Sequence, residues 1–124
     1  MQVTFHRAFD AVRDPRTALE QIVQLGCTRV LSSGARASAA EGMATLAGTV
    51  QQAAGRIGIM AGAGITPDNI AWIALGTGCS ELHASAKLRR QSRMRHRNLA
   101  LAGLEVYHLQ TDAAQVAALR AALG

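Results

Sequence analysis

The residues able to do chemistry in this sequence stand at the ends of four short apolar runs. His6, Arg7 and Asp10 follow Gln2-Val3-Thr4-Phe5, and Ser32, Ser33 and Gly34 follow Arg29-Val30-Leu31. Gly62 and Gly64 follow Ile57-Gly58-Ile59-Met60, and His83 and Ser85 come at the end of Glu81-Leu82-His83. An imidazole such as His6 or His83 suits general acid or base work near neutral pH, and Arg7 could stabilise developing negative charge. In Gly62-Ala63-Gly64, ahead of Thr66-Pro67, small residues let backbone N–H groups approach an anion at a helix start. Two glycines in G-x-G, without the third, do not make a dinucleotide fingerprint. Each group also has a plainer use. Serines and glycines satisfy turns, and Asp10 can simply pair with Arg7 or a neighbouring arginine. Spacing assigns no nucleophile–base pair, so whether the chain is an enzyme stays open.

Positioning such residues requires a scaffold, and the sequence repeats one. The four runs begin about 24 to 28 residues apart, the rhythm of strand–helix units on a parallel sheet. Between them lie helix signals. Asp14-Pro15 supplies a cap and a first-turn proline, with Leu19, Ile22 and Val23 as the apolar stripe and Gly26 as the stop. Ser38-Ala39-Ala40-Glu41 fits a capping box ahead of Met43, Leu46, Ala47 and Val50. Thr66-Pro67 starts a third helix with Ile70, Ile73 and Ala74 on one face, stopping near Gly76. Thr111-Asp112 starts the last, with Val116, Leu119 and Leu123 expected to face inward. The fold class is therefore α/β with four parallel βα units in a single domain, residues 1–124. Such units could form an open sheet with helices on both faces or half of an eight-unit barrel.

Composition narrows the function classes. The chain has 124 residues, 49% hydrophobic and only 3% aromatic, with 25 alanines. It has no apolar run long enough to span a membrane and no secretory signal pattern, so a cytoplasmic setting is expected. Cys27 and Cys79 make no disulfide framework. Both precede strands, and about 13 Å of strand separates Cys79 from His83, too far to share an ion. Six of the 13 lysines and arginines fall between Lys87 and Arg97. That stretch lacks interleaved aromatics, so specific nucleic-acid recognition has no support, and a solvated loop is expected. Arg95 and Arg97 are the members that could fold over the strand ends and neutralise an anionic ligand.

Together, Thr4-Phe5-His6-Arg7-Ala8-Phe9-Asp10, Arg29-Val30-Leu31-Ser32-Ser33-Gly34, Ile59-Met60-Ala61-Gly62-Ala63-Gly64 and Glu81-Leu82-His83-Ala84-Ser85-Ala86 resemble the CutC family, named for copper homeostasis. Met94-Arg95-His96-Arg97-Asn98 resembles the family's segment after its last strand. The resemblance implies a (β/α)8 TIM-type barrel, with these units matching the fifth to eighth strands and the first half absent. It also implies a copper-related role, for which His6 and His83, with Met60, would offer the imidazole and thioether ligands that Cu(I) favours. A half-barrel exposes two strand edges, so association of two or more copies, or a poorly soluble fragment, is expected. The expected activity is binding of a small molecule or anion at the carboxyl ends of the strands. The alternatives are a half-barrel without independent activity and a barrel enzyme acting on a phosphate-bearing small molecule.

Overall fold

The computed structural model describes residues 1–96, 98, 100–103 and 106–124. In chain order the elements are β1 (Thr4–Phe5), a 3-10 turn (Arg7–Ala11), α1 (Pro15–Gln24), β2 (Arg29–Ser32), α2 (Met43–Ala53), β3 (Gly58–Gly62), α3 (Ile70–Thr77), β4 (Glu81–His83), β5 (Lys87–Gln91), β6 (Tyr107–Thr111) and α4 (Ala113–Leu123). The first four strands form a parallel sheet in the order β1-β2-β3-β4.

Local chemistry explains the helix starts. The Asp14 carboxylate accepts from the backbone N–H groups of Arg16 and Thr17 at 3.0 and 3.2 Å, with Pro15 at the first helical position. Asp112 caps α4 by accepting from the Gln115 N–H. Two helices begin later than their signals suggest. The Ser38 hydroxyl accepts from the Glu41 N–H and donates to Glu41 Oε1, but these bonds hold a turn, and α2 starts at Met43. The Thr66 carbonyl likewise accepts from Asn69 and Ile70 N–H groups in a turn before α3. That helix does stop near Gly76: it ends at Thr77, and Gly78 at φ +70° forms the cap, while an added Cβ at Gly76 itself would meet Met43 Cε of α2.

The sheet divides its residues by face. Val30, Ile59 and Ala61 join Leu19, Ile22, Leu46, Ile70 and Ile73 from the helices in one core cluster. The other face carries Arg29, Leu31, Gly58, Met60, Gly62, Glu81 and His83, none of which belongs to that cluster. All of them except Gly62 are half-buried or exposed. Among the described residues, the core cluster thus takes its β2 and β3 members from one face of the sheet. On the open face Arg29 Nε lies 2.8 Å from Glu81 Oε2, reaching past Gly58, without the alignment of a hydrogen bond.

Two expectations are corrected. The basic stretch is not a loop throughout, because Lys87–Gln91 pairs antiparallel with Tyr107–Thr111. Arg89 lies over the ring of Tyr107 in β6 at 4.3 Å, and Arg90 pairs at 2.6 Å with Asp112, the cap of α4, so partners from two elements stabilise a strand of strongly charged composition. In α4, only Leu119 is buried, whereas Val116 and Leu123 remain exposed. The helix meets the core along the narrow Leu119 and Ala122 seam, which leaves the rest of its apolar face uncovered. No helix among the described residues is long and apolar enough to cross a membrane.

Candidate functional site

Asp10 organises the carboxyl ends of β1 and β2. Its side chain is only 10% exposed. Oδ1 accepts from the Ser32 hydroxyl at 2.6 Å and from the Ala35 N–H at 3.1 Å. Oδ2 accepts from Arg7 Nε at 2.8 Å and the Ser33 N–H at 3.0 Å. Burial alone would raise the carboxyl's pKa, but bonds from Ser32, Arg7, Ser33 and Ala35 outweigh it and hold the pKa at about 2. Ser32 completes the cage by accepting from the Gly34 N–H.

The cage fixes Arg7 in turn. Its Nη2 donates to Ser33 Oγ at 2.7 Å and to the Arg36 carbonyl at 3.4 Å. The Ser33 hydroxyl holds one proton, which goes either to the Arg36 carbonyl at 2.7 Å or to Asp10 Oδ2 at 3.0 Å. The guanidinium is thus held along its Nε and Nη2 side, while Arg7 also lines an open cavity of about 440 Å³.

That cavity gathers residues from three strand exits. Arg7 comes from the end of β1, Ala63 to Pro67 from the loop after β3, and His83 to Lys87 from the end of β4, with Leu31 and Gln115 completing the wall. Its lining contains no Asp or Glu. Ala63 and Ala86, both in the wall, adopt φ +81° and +47°, and Ala35 beside the Asp10 cage adopts +57°. Non-glycine residues in this region are strained by roughly 1–2 kcal/mol each, and such strain concentrates where a loop's shape matters.

The sequence-predicted residues divide accordingly. Arg7, Gly64, His83 and Ser85 line the cavity together. Asp10, Ser32 and Ser33 form the cage behind Arg7 rather than the wall. Gly62 is buried behind the wall residues Leu31 and His83, where an added Cβ would meet Leu31 Cδ1 at 2.7 Å and His83 Cβ at 3.5 Å. His6 caps the 3-10 turn, its Nδ1 accepting from the Ala8 N–H at 3.0 Å. Arg95 is exposed beyond β5 and outside this wall, and Arg97 lies outside the described residues. Sequence reasoning placed Lys87 only in the basic run. Its position directly after the last strand exit was the available signal. Gln115, from α4, carried none.

The donor set does not fit copper. With Nδ1 engaged as an acceptor, a neutral His6 carries its proton on Nε2 and has no free lone pair for a metal. Met60 pairs in register with Glu81, on the strand residues below Gly62 and His83. No group of three or more His, Cys, Asp or Glu among the described residues could hold an ion. Cys79 is buried, and desolvation raises its thiol pKa, the behaviour of a core residue.

Comparison with known proteins converges on one family. The CutC family model matches residues 1–88, ending as β5 begins. A CutC family protein of Chromobacterium violaceum is 51% identical over 99% of this chain and 52% of its own length. One from Pasteurella multocida is 54% identical over 82% of this chain and 41% of its own. The chain thus spans about half or less of the relatives it matches. A crystal structure of CutC from Streptococcus agalactiae, a protein whose name refers to copper homeostasis, superposes with a TM-score of 0.64 at 33% identity. That match covers 67% of this chain and 41% of the other. The chain belongs to the CutC family.

Proposed function

We propose that this chain forms half of an eight-unit barrel and that the carboxyl ends of its strands bind a small anionic molecule. The observation that carries the reading is a cavity at the strand exits lined together by Arg7, His83 and Lys87, with no acid among its residues. Its volume falls within the range of small-molecule sites. The sequential strand order and the core on one face support the barrel reading. Any proton transfer to a bound ligand falls to His83, which lines the cavity, rather than to His6, which caps a turn. The copper link belongs to the names of relatives, and this half assigns no copper ligands. A cytoplasmic location and association of two copies across the unpaired edges of β1 and β4 complete the proposal.

The test is an amide chemical-shift titration with inorganic phosphate at constant ionic strength. Saturable shifts at Gly64, His83 and Ser85 are expected. Gly62→Val, which displaces Leu31 and crowds His83, should weaken them severalfold. Shifts confined to the exposed arginines of the ribbon, or none, would overturn the reading.

A further inference from the structure

The wall of the cavity says what kind of anion it takes. Arg7 and Lys87 approach from different elements, and their charges are balanced unequally. Asp10 neutralises Arg7 from behind. Lys87 takes part in none of the four ion pairs found among the described residues. Its backbone is nevertheless pinned. Lys87 pairs with Thr111, the Ala86 carbonyl accepts from the Asp112 N–H at 2.9 Å, and the Ser85 carbonyl accepts from Thr111 Oγ1 at 3.3 Å.

Polar groups from three strand exits thus line the cavity: Arg7 after β1, the Gly64–Thr66 loop after β3, and Ser85 and Lys87 after β4. A carboxylate presents two oxygens in one plane and one charge. A phosphate monoester presents three acceptor oxygens in three directions and close to two charges at neutral pH. The second geometry and charge match this wall. Leu31, Ile65 and Pro67 supply apolar surface beyond the charged groups, which suits a short organic body on the phosphate.

Building on the reading of this cavity as an anion site, we infer that its ligand is a small organic phosphate monoester. The phosphoryl group is held between Arg7 and Lys87, and Asp10 and Ser33 are positioning residues that aim Arg7. Lys87 is thus part of the binding site, at the end of the family-matched segment and the start of a ribbon that continues past it.

Calorimetric titration of the full chain with propyl phosphate and with butyrate, at equal ionic strength, tests this. Propyl phosphate should bind at least about tenfold more tightly. In Lys87→Gln that preference should fall to within about threefold, with the fold unchanged by circular dichroism. Ser33→Ala, which removes one Arg7 contact without touching the wall, should reduce the preference in the same direction, and Ser33→Thr should restore it. Equal binding of both ligands, with amide shifts in the cavity, would overturn the phosphate inference and leave the anion site standing. Retention of the full preference in Lys87→Gln would also overturn it. Binding of neither ligand would overturn both.

Discussion

The hydroxyl of Ser32 donates to Asp10 Oδ1 at 2.6 Å, tying the end of β2 to the turn that follows β1. The two residues are 22 positions apart, and their bond closes the cage that aims Arg7. Aim in this site is therefore a tertiary property, distributed over two strand exits.

Asp10 should make stability depend on acid pH. Its folded pKa of about 2 lies below the ordinary 3.8, so its contribution is fully present above pH 3.8 and lost as pH falls through about 2. That contribution is on the order of 2 kcal/mol. Asp10→Asn should be destabilised by about 1–3 kcal/mol at neutral pH and lack this component of the acid transition. Urea unfolding at a series of pH values checks both; parallel pH profiles for the two proteins would contradict the cage.

The strained alanines should respond to glycine. Ala63→Gly and Ala86→Gly relieve positive φ angles at the cavity wall. Each should raise stability by up to about 1 kcal/mol, after the entropic cost of glycine. Thermal melts showing clear destabilisation in both would contradict the strain.

At Gly76 of α3 an added methyl meets Met43 Cε of α2, the free end of a flexible side chain that can swing aside. Gly76→Ala should therefore change stability by less than about 1 kcal/mol, the displacement of Met43 being offset by about 1 kcal/mol of helix propensity. In a double-mutant cycle, Gly76→Ala made in a Met43→Ala background should be stabilising. A loss of several kcal/mol in Gly76→Ala alone would show that Met43 cannot yield.

The sheet has two unpaired edges, β1 and β4, among the described residues, and a half-exposed face bearing Leu31 and Met60. Two copies should therefore associate in solution. Sedimentation equilibrium should give a dimer with cooperative thermal unfolding. A monodisperse monomer with the same cooperativity would contradict association.

Much of this was legible in the sequence, for identifiable reasons. Strands such as Arg29–Ser32 and Gly58–Gly62 stood out because they are apolar runs between glycine-bounded helices. The convergence of Arg7, Gly64, His83 and Ser85 followed from parallel strands delivering their exits to one end. The β5–β6 ribbon was hidden because Lys87–Gln91 is mostly charged, and its stabilising partners lie about twenty residues away in the chain. The Asp10 cage was only half visible. Pairing with Arg7 could be expected at three-residue spacing, but the bonds from Ser32, Ser33 and Ala35 exist only after β1 and β2 align. Helix starts at Met43 and Ile70 were misplaced because the same side chains that cap a helix also close a preceding turn.

Amide chemical shifts of the isotope-labelled chain, titrated with inorganic phosphate, test the anion site most directly. Saturable shifts clustered at Gly64, His83, Ser85 and Lys87, abolished in Arg7→Gln, are the expected result. Shifts that persist in Arg7→Gln, or that spread evenly along the exposed basic ribbon, would contradict it.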